Sequence, residues 1–150
     1  MNTKLKGDLS EQIVVCEALK RGWGVSIPIG DRLPYDLVFD VNDRLIKIQV
    51  KTAWIFRGDS NVWVVETRRT KTNRRKMVRD RYEETDCDFV IASIPENNVF
   101  WIFPIKSYLS WKGAITLKLE DNGQRRLDST EFKNGWNLIP EWADGKEIFH

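Results

Sequence analysis

The stretch that most limits what this chain can fold into is residues 33–53, LPYDLVFDVNDRLIKIQVKTA. Two apolar runs flank Asn42-Asp43, a turn signal, so the stretch reads as a β-hairpin over 36–40 and 45–51. Side chains two apart on a strand share a face. Ile46, Ile48 and Val50 therefore make one dry face of the second strand. Gln49 and Lys51 lie together on the other, and Asp36 stands at the start of the partner strand. An otherwise apolar hairpin thus carries a polar group that needs a reason.

The rest of the chain alternates helical and extended segments. A helix is expected over 4–21, ended by Gly22, with Gly7 and the capping candidates Asp8 and Ser10 competing for its start. Strands are expected over 25–27, 62–65, 89–93, 99–103 and 114–119, and a helix over 105–111. Pro95-Glu96-Asn97-Asn98 is the turn between two of those strands. The tail after residue 131 is rich in Trp and Phe without a clear period. No repeat, linker or low-complexity block divides the chain, so one α/β domain spanning 1–150 is expected.

Composition narrows the chemistry. With 41% apolar and 31% charged residues the chain is an ordinary globular sequence, and a chain of 150 residues buries roughly 70% of its unfolded surface without staples. No apolar run approaches the ~20 residues of a membrane span, and MNTKLKGDLSEQ lacks the apolar core of a signal peptide. Cys16 and Cys87 form neither a zinc spacing nor a disulfide framework, which fits a reducing cytoplasm. The single histidine is His150, the last residue, which argues against a histidine base, a Ser-His or Cys-His pair, or a multi-histidine metal site. Gly22-Trp23-Gly24 lacks the remaining residues of a phosphate loop. An enzyme built on this sequence must work with carboxylates, amides and lysine.

Within the first helix one stripe collects Gly7, Glu11, Val14, Val15 and Ala18, which sets the Glu11 carboxylate on a largely apolar face. Such a group is costly to bury unless something positive or hydrogen-bonding meets it; on a half-buried face it simply reaches water. A hard cation such as Mg²⁺ wants oxygen ligands. Asp36 offers a charged oxygen, Gln49 an amide oxygen and Glu11 a second carboxylate, while Lys51 on the face of Gln49 can orient water or stabilise charge on a phosphate. The plainer alternative makes Asp36 a turn residue and Gln49 and Lys51 the wet face of a strand.

Net charge is +2, unevenly distributed. Between Thr67 and Arg81 lie Arg68, Arg69, Lys71, Arg74, Arg75, Lys76, Arg79 and Arg81 against the single acid Asp80, a strip of +7 on a remainder of −5. Such a strip points to a polyanion such as nucleic acid, or else is a solvated charged face.

Glu11, Pro34-Tyr35-Asp36 and Gln49-Val50-Lys51 together resemble the PD-(D/E)XK nuclease superfamily. The segments KGDLSEQ, RGWGVSIPIGD, YDLVFD and IKIQVKTA resemble, within it, the small bacterial PD-(D/E)XK endonucleases, which include a group I intron-encoded homing endonuclease of a tRNA gene. The resemblance is dense from Lys6 to Trp54 and looser over 88–92 and 100–104. It implies a restriction-endonuclease-like core, a mixed β-sheet flanked by helices, with Glu11, Asp36 and Gln49 carrying Mg²⁺ and Lys51 carrying catalysis. Two departures stand out. Tyr35 separates Pro34 from Asp36, and Gln49 replaces an acid, lowering the negative charge of the site by one and weakening its expected hold on metal.

The resemblance further implies site-specific cleavage of double-stranded DNA, homing of an intron into an intronless tRNA gene, and a homotetramer; cutting both strands needs two active sites, hence at least a dimer. The basic insertion at 66–82, with Asn73 and Thr among its Arg and Lys, has the side chains that contact phosphates and base edges. It reads either as a β-ribbon turning near Thr72-Asn73 or as a short helix capped by Asn73. Trp101 and Phe103 are expected in the core, Trp136 and Trp142 at a subunit interface. A Holliday-junction resolvase or restriction-type enzyme of the same fold, and a DNA-binding module with a decayed site, are the rival readings.

Overall fold

The computed structural model describes residues 2–72, 77–121, 123 and 126–145, with only the backbone described over 69–72 and 77–80. Chain order begins with helix α1 (Thr3–Lys20), then β1 (Gly24–Ser26), β2 (Leu37–Val41), β3 (Arg44–Thr52), β4 (Trp54–Phe56) and β5 (Asp59–Val65). A ribbon follows, β6 (Arg68–Thr72) and β7 (Met77–Arg81), then β8 (Phe89–Ile94), β9 (Val99–Pro104), α2 (Ile105–Leu109) and β10 (Ile115–Lys118). A 3-10 helix (Asp128–Phe132) and α3 (Leu138–Ala143) complete it.

The frame is a mixed five-stranded sheet ordered β1-β2-β3-β8-β9, in which β3 and β8 run parallel and every other pair is antiparallel. Asn42 and Asp43 turn the β2–β3 hairpin with φ of 52° and 63°, the left-handed pair that a two-residue hairpin requires. Along β3, Ile46, Ile48 and Val50 are buried and Lys47, Gln49 and Lys51 only partly so, as the alternation in sequence predicts. Every residue of β8 and β9 is buried, consistent with their unbroken apolar character. A second sheet, β10-β5-β4, and the two-stranded ribbon β6-β7 are inserted in the crossover between the parallel strands or beyond β9.

Helix α1 starts earlier than the capping candidates imply. Asn2 is the cap, its side-chain oxygen accepting from the Leu5 N–H at 2.8 Å. Ser10 lies well inside the helix and is fully buried. The end is where Gly22 puts it. With φ of 80°, Gly22 donates to the Leu19 carbonyl and Trp23 to that of Ala18, a Schellman closure. The α1 helix lies against β1, β3 and β8 through Val14 and Ala18, both buried.

The tail departs most from expectation. A 3-10 helix of 5 residues leads into it and α3 of 6 residues follows, too few turns to display a period. Pro140 is tolerated in α3 because it falls in the first turn. Trp136, expected at a subunit interface, is buried within this chain at 6% exposure. It packs edge-on to Phe100 and beside Trp23, and the Arg21 guanidinium lies 4.4 Å from its ring. Trp142 is half-buried, against Phe89 and beneath Arg44. Trp101 and Phe103 are core residues as expected. Among the described residues no helix is long and apolar enough to cross a membrane.

Candidate active site

The polar group on the hairpin is built by the end of the ladder. Asp36 stands one residue ahead of β2, just beyond the last ladder pair, Leu37 opposite Ile48. Its backbone N–H donates to the Ile48 carbonyl at 2.8 Å, and its Oδ2 accepts the Val50 N–H at 2.9 Å. The carboxylate thus takes the place of a backbone acceptor and is locked beside β3. Gln49 and Lys51 flank that N–H in sequence and share the partly exposed face of the strand. The Gln49 Nε2 donates to the Val50 carbonyl at 3.3 Å, so Oε1 is the atom of this amide suited to a cation.

Helix α1 brings Glu11. Its neighbour Ser10 is buried against the end of β3, where Ser10 Oγ accepts from Thr52 Oγ1 at 2.9 Å. That bond pins α1 to the strand one residue past Lys51, and Glu11 follows on the adjoining, half-buried face. The helix stripe read from sequence omits Ser10; its offset of four from Val14 was the available signal.

Glu11 senses the charge of Asp36, and Asp36 that of Lys51. Burial and the charge of Asp36, with a smaller push from Asp8, raise the Glu11 carboxyl from 4.5 to about 7. Asp36 is also raised, by burial, against the lowering effects of the Val50 N–H and the Lys51 ammonium. A half-buried carboxyl whose charge is disfavoured by a neighbouring carboxylate is a place where a divalent cation would relieve the repulsion. Among the described residues no cluster of three or more His, Cys, Asp or Glu gathers to hold a metal. The donors in place are two carboxylates and an amide, all oxygen, which fit a hard divalent cation that keeps part of its water.

Lys51 completes the group. Its Nζ donates to the Arg68 carbonyl at 3.0 Å and lies 5.0 Å from the centre of the Tyr82 ring. The structure therefore brings Glu11, Asp36, Gln49 and Lys51 to one end of the β2–β3 hairpin. Cys87 plays no comparable part: it is buried, and its thiol is pushed up to about 12.

The basic strip is the β6–β7 ribbon rather than a helix, with Arg68 opposite Arg81, Arg69 opposite Asp80, Thr70 opposite Arg79 and Lys71 opposite Val78. Asn73, Arg74, Arg75 and Lys76, between β6 and β7 in sequence, lie outside the described residues. Arg68 is exposed at the base. Arg81, also exposed, donates from Nη2 to the Leu109 and Trp111 carbonyls at 2.7 and 3.1 Å, tying the ribbon to the end of α2. Thr67 reinforces the tie by donating to the Gly113 carbonyl at 2.7 Å, and the Tyr108 hydroxyl donates to that of Glu66.

A mixed sheet with a helix-borne acid, a strand-start aspartate and a strand-borne lysine at one hairpin defines a nuclease of the PD-(D/E)XK type. The sequence profile of the PD-(D/E)XK endonuclease family matches residues 1–139, and the chain belongs to that family. Among solved structures, it is similar to a bacterial homing endonuclease, I-Ssp6803I, at 42% identity and a TM-score of 0.88, over 99% of this chain and 100% of that one. Comparison with curated proteins gives no match.

Proposed function

We propose that this endonuclease is a site-specific homing enzyme that cuts both strands of DNA by Mg²⁺-dependent phosphodiester hydrolysis, promoting entry of a group I intron into an intronless tRNA gene. The observation that carries the reading is the Asp36 carboxylate clamped by the Val50 N–H, between Gln49 and Lys51 on β3, with the Glu11 helix pinned to the same strand end through Ser10 and Thr52. The likeness to a homing endonuclease along the whole chain supports the specific over the general form.

Glu11, Asp36 and the Gln49 amide oxygen would hold the cation. When bound, Mg²⁺ supplies a Lewis acid for phosphoryl oxygen and favours deprotonation of water. Asp36, clamped by the Val50 N–H, is the fixed ligand; Glu11, on a helix pinned through Ser10 and Thr52, is the second. The Lys51 ammonium meets the negative charge that builds on the phosphate as the new bond forms, and such a donor acts most strongly where water is partly excluded. Arg68, Arg69, Lys71, Asn73, Arg74, Arg75, Lys76, Arg79 and Arg81 are the residues that would follow phosphates and base edges, Arg81 while also holding the base of the ribbon. Two sites are needed for two strands, and a homo-oligomer, a tetramer by the resemblance, would supply them in a cytoplasm where the DNA is accessible.

The test is incubation with Mg²⁺ and three substrates: random-site plasmids, a plasmid bearing an intronless tRNA gene, and a four-way junction. Double-strand breaks at a defined position in the tRNA gene are expected. Cleavage of the junction regardless of sequence would favour a resolvase, and no cleavage of any substrate would leave a DNA-binding module. Lys51→Ala should lose about 10³-fold in rate, in the range of a removed transition-state donor, while gel-shift affinity stays; persistent cutting would remove Lys51 from the chemistry.

A further inference from the structure

Both ends of the ribbon converge on one side chain. Arg68 opens β6, Arg81 closes β7 opposite it, and Tyr82 is the next residue. The Arg68 carbonyl accepts from Lys51 Nζ at 3.0 Å, and the Tyr82 ring faces the same ammonium at 5.0 Å. Tyr82 is itself rigid, at 4% exposure and edge-on to the Tyr108 ring at 6.2 Å. Tyr108 in turn donates its hydroxyl to the Glu66 carbonyl just before the ribbon, and Arg81 is tied to the end of α2. The ammonium is therefore held at the root of the ribbon by the Arg68 carbonyl and the face of the Tyr82 ring.

From this geometry we infer that Tyr82 is a positioning residue for Lys51: its ring face, with the Arg68 carbonyl, sets the ammonium where the scissile phosphate arrives, and so joins the DNA-reading ribbon to the catalytic strand. The inference rests on the nuclease reading above. A cation is attracted to the negative face of an aromatic ring within about 6 Å of its centre, more strongly when partly desolvated. A flexible four-carbon stem on its own leaves an ammonium spread over many rotamers, and small misplacements of a catalytic group are costly to rate. The ring does not touch the reacting atoms. Its effect must run through Lys51.

The experiment measures cleavage rate at saturating protein, and separately DNA affinity, on a plasmid bearing the intronless tRNA gene. Tyr82→Phe keeps the ring face and should cut at the wild-type rate. Tyr82→Leu removes it and should cut about tenfold more slowly, on the scale of a single cation–ring attraction, with affinity and circular-dichroism melting showing a folded, binding-competent protein. Equal rates for folded Phe and Leu variants would overturn the positioning role. If Tyr82→Leu does not fold, phenylalanines of increasing fluorination at position 82 decide instead: shape is kept while the ring face loses its negative character. A stepwise fall in rate supports the inference; a flat series overturns it. Failure of the unaltered protein to cut any duplex would instead overturn the nuclease reading, so the two outcomes are distinguishable.

Discussion

At Glu11 a carboxyl near pH 7 makes proton and metal competitors for one side chain. Folding raises its pKa from 4.5 to about 7, so the folded state holds this proton more tightly than the unfolded one. The contribution to stability is fully present below pH 4.5 and is lost as pH rises through about 7, above which it is level. Asp36, raised in the same direction, adds to the trend. In chelator, the melting temperature should fall from pH 5 to pH 8, and Glu11→Gln should flatten that fall. Added Mg²⁺ should raise the melting temperature more at pH 8 than at pH 5, because only the charged carboxylate is a ligand. A slope unchanged in Glu11→Gln would show that the cleft is not its origin. Gln49 offers the complementary change. Gln49→Glu restores a charged ligand beside two others, so cleavage should persist and half-saturate at lower Mg²⁺, read by metal titration of the rate; a higher requirement would place this amide outside the ligand set.

Among the elements, the ribbon carries the clearest division of labour. Its root is tied to the body by Thr67, Arg81 and the carbonyl of Glu66, whereas most of its charge lies in sequence between them, over 68–79. Cations that neutralise phosphates release counterions, so their number is read from the salt dependence of binding. Arg74→Gln with Arg75→Gln should weaken binding and lower the slope of log affinity against log salt by roughly 0.9 for each phosphate no longer neutralised. An unchanged slope would return these arginines to a solvated face. The ribbon geometry itself was one of two options open in the sequence. Residues 68–76 are all polar, so neither a strand nor a helix period could emerge there, and only pairing between 68–72 and 77–81 settles it.

On the scale of the whole molecule, the tail closes the core. Trp136 lies between Trp23, Phe100 and the Arg21 side chain, joining the loop after α1 to β9 and the C-terminal helices. Trp136→Ala should cost about 3–5 kcal/mol, as large aromatic deletions from a packed core do, measured by urea unfolding, and should leave the assembly state of the folded fraction unchanged in light scattering. Loss of assembly without loss of stability would reinstate this tryptophan as an interface residue.

Much of the site was legible because β-strand periodicity is short and local. The turn residues Asn42-Asp43 set the register, and the two-residue repeat then put Gln49 and Lys51 on one face and the three aliphatic residues on the other. Gly22 marked the end of α1 for an equally local reason, its left-handed backbone. What tertiary structure alone decided involves groups far apart in the chain. The Ser10–Thr52 hydrogen bond spans 42 positions, the Lys51–Arg68 bond 17, and the burial of Trp136 depends on residues 23 and 100. Local pattern records which face of an element is apolar, but not which other element covers it. The partner of a polar side chain is fixed by packing, after the chain has closed on itself.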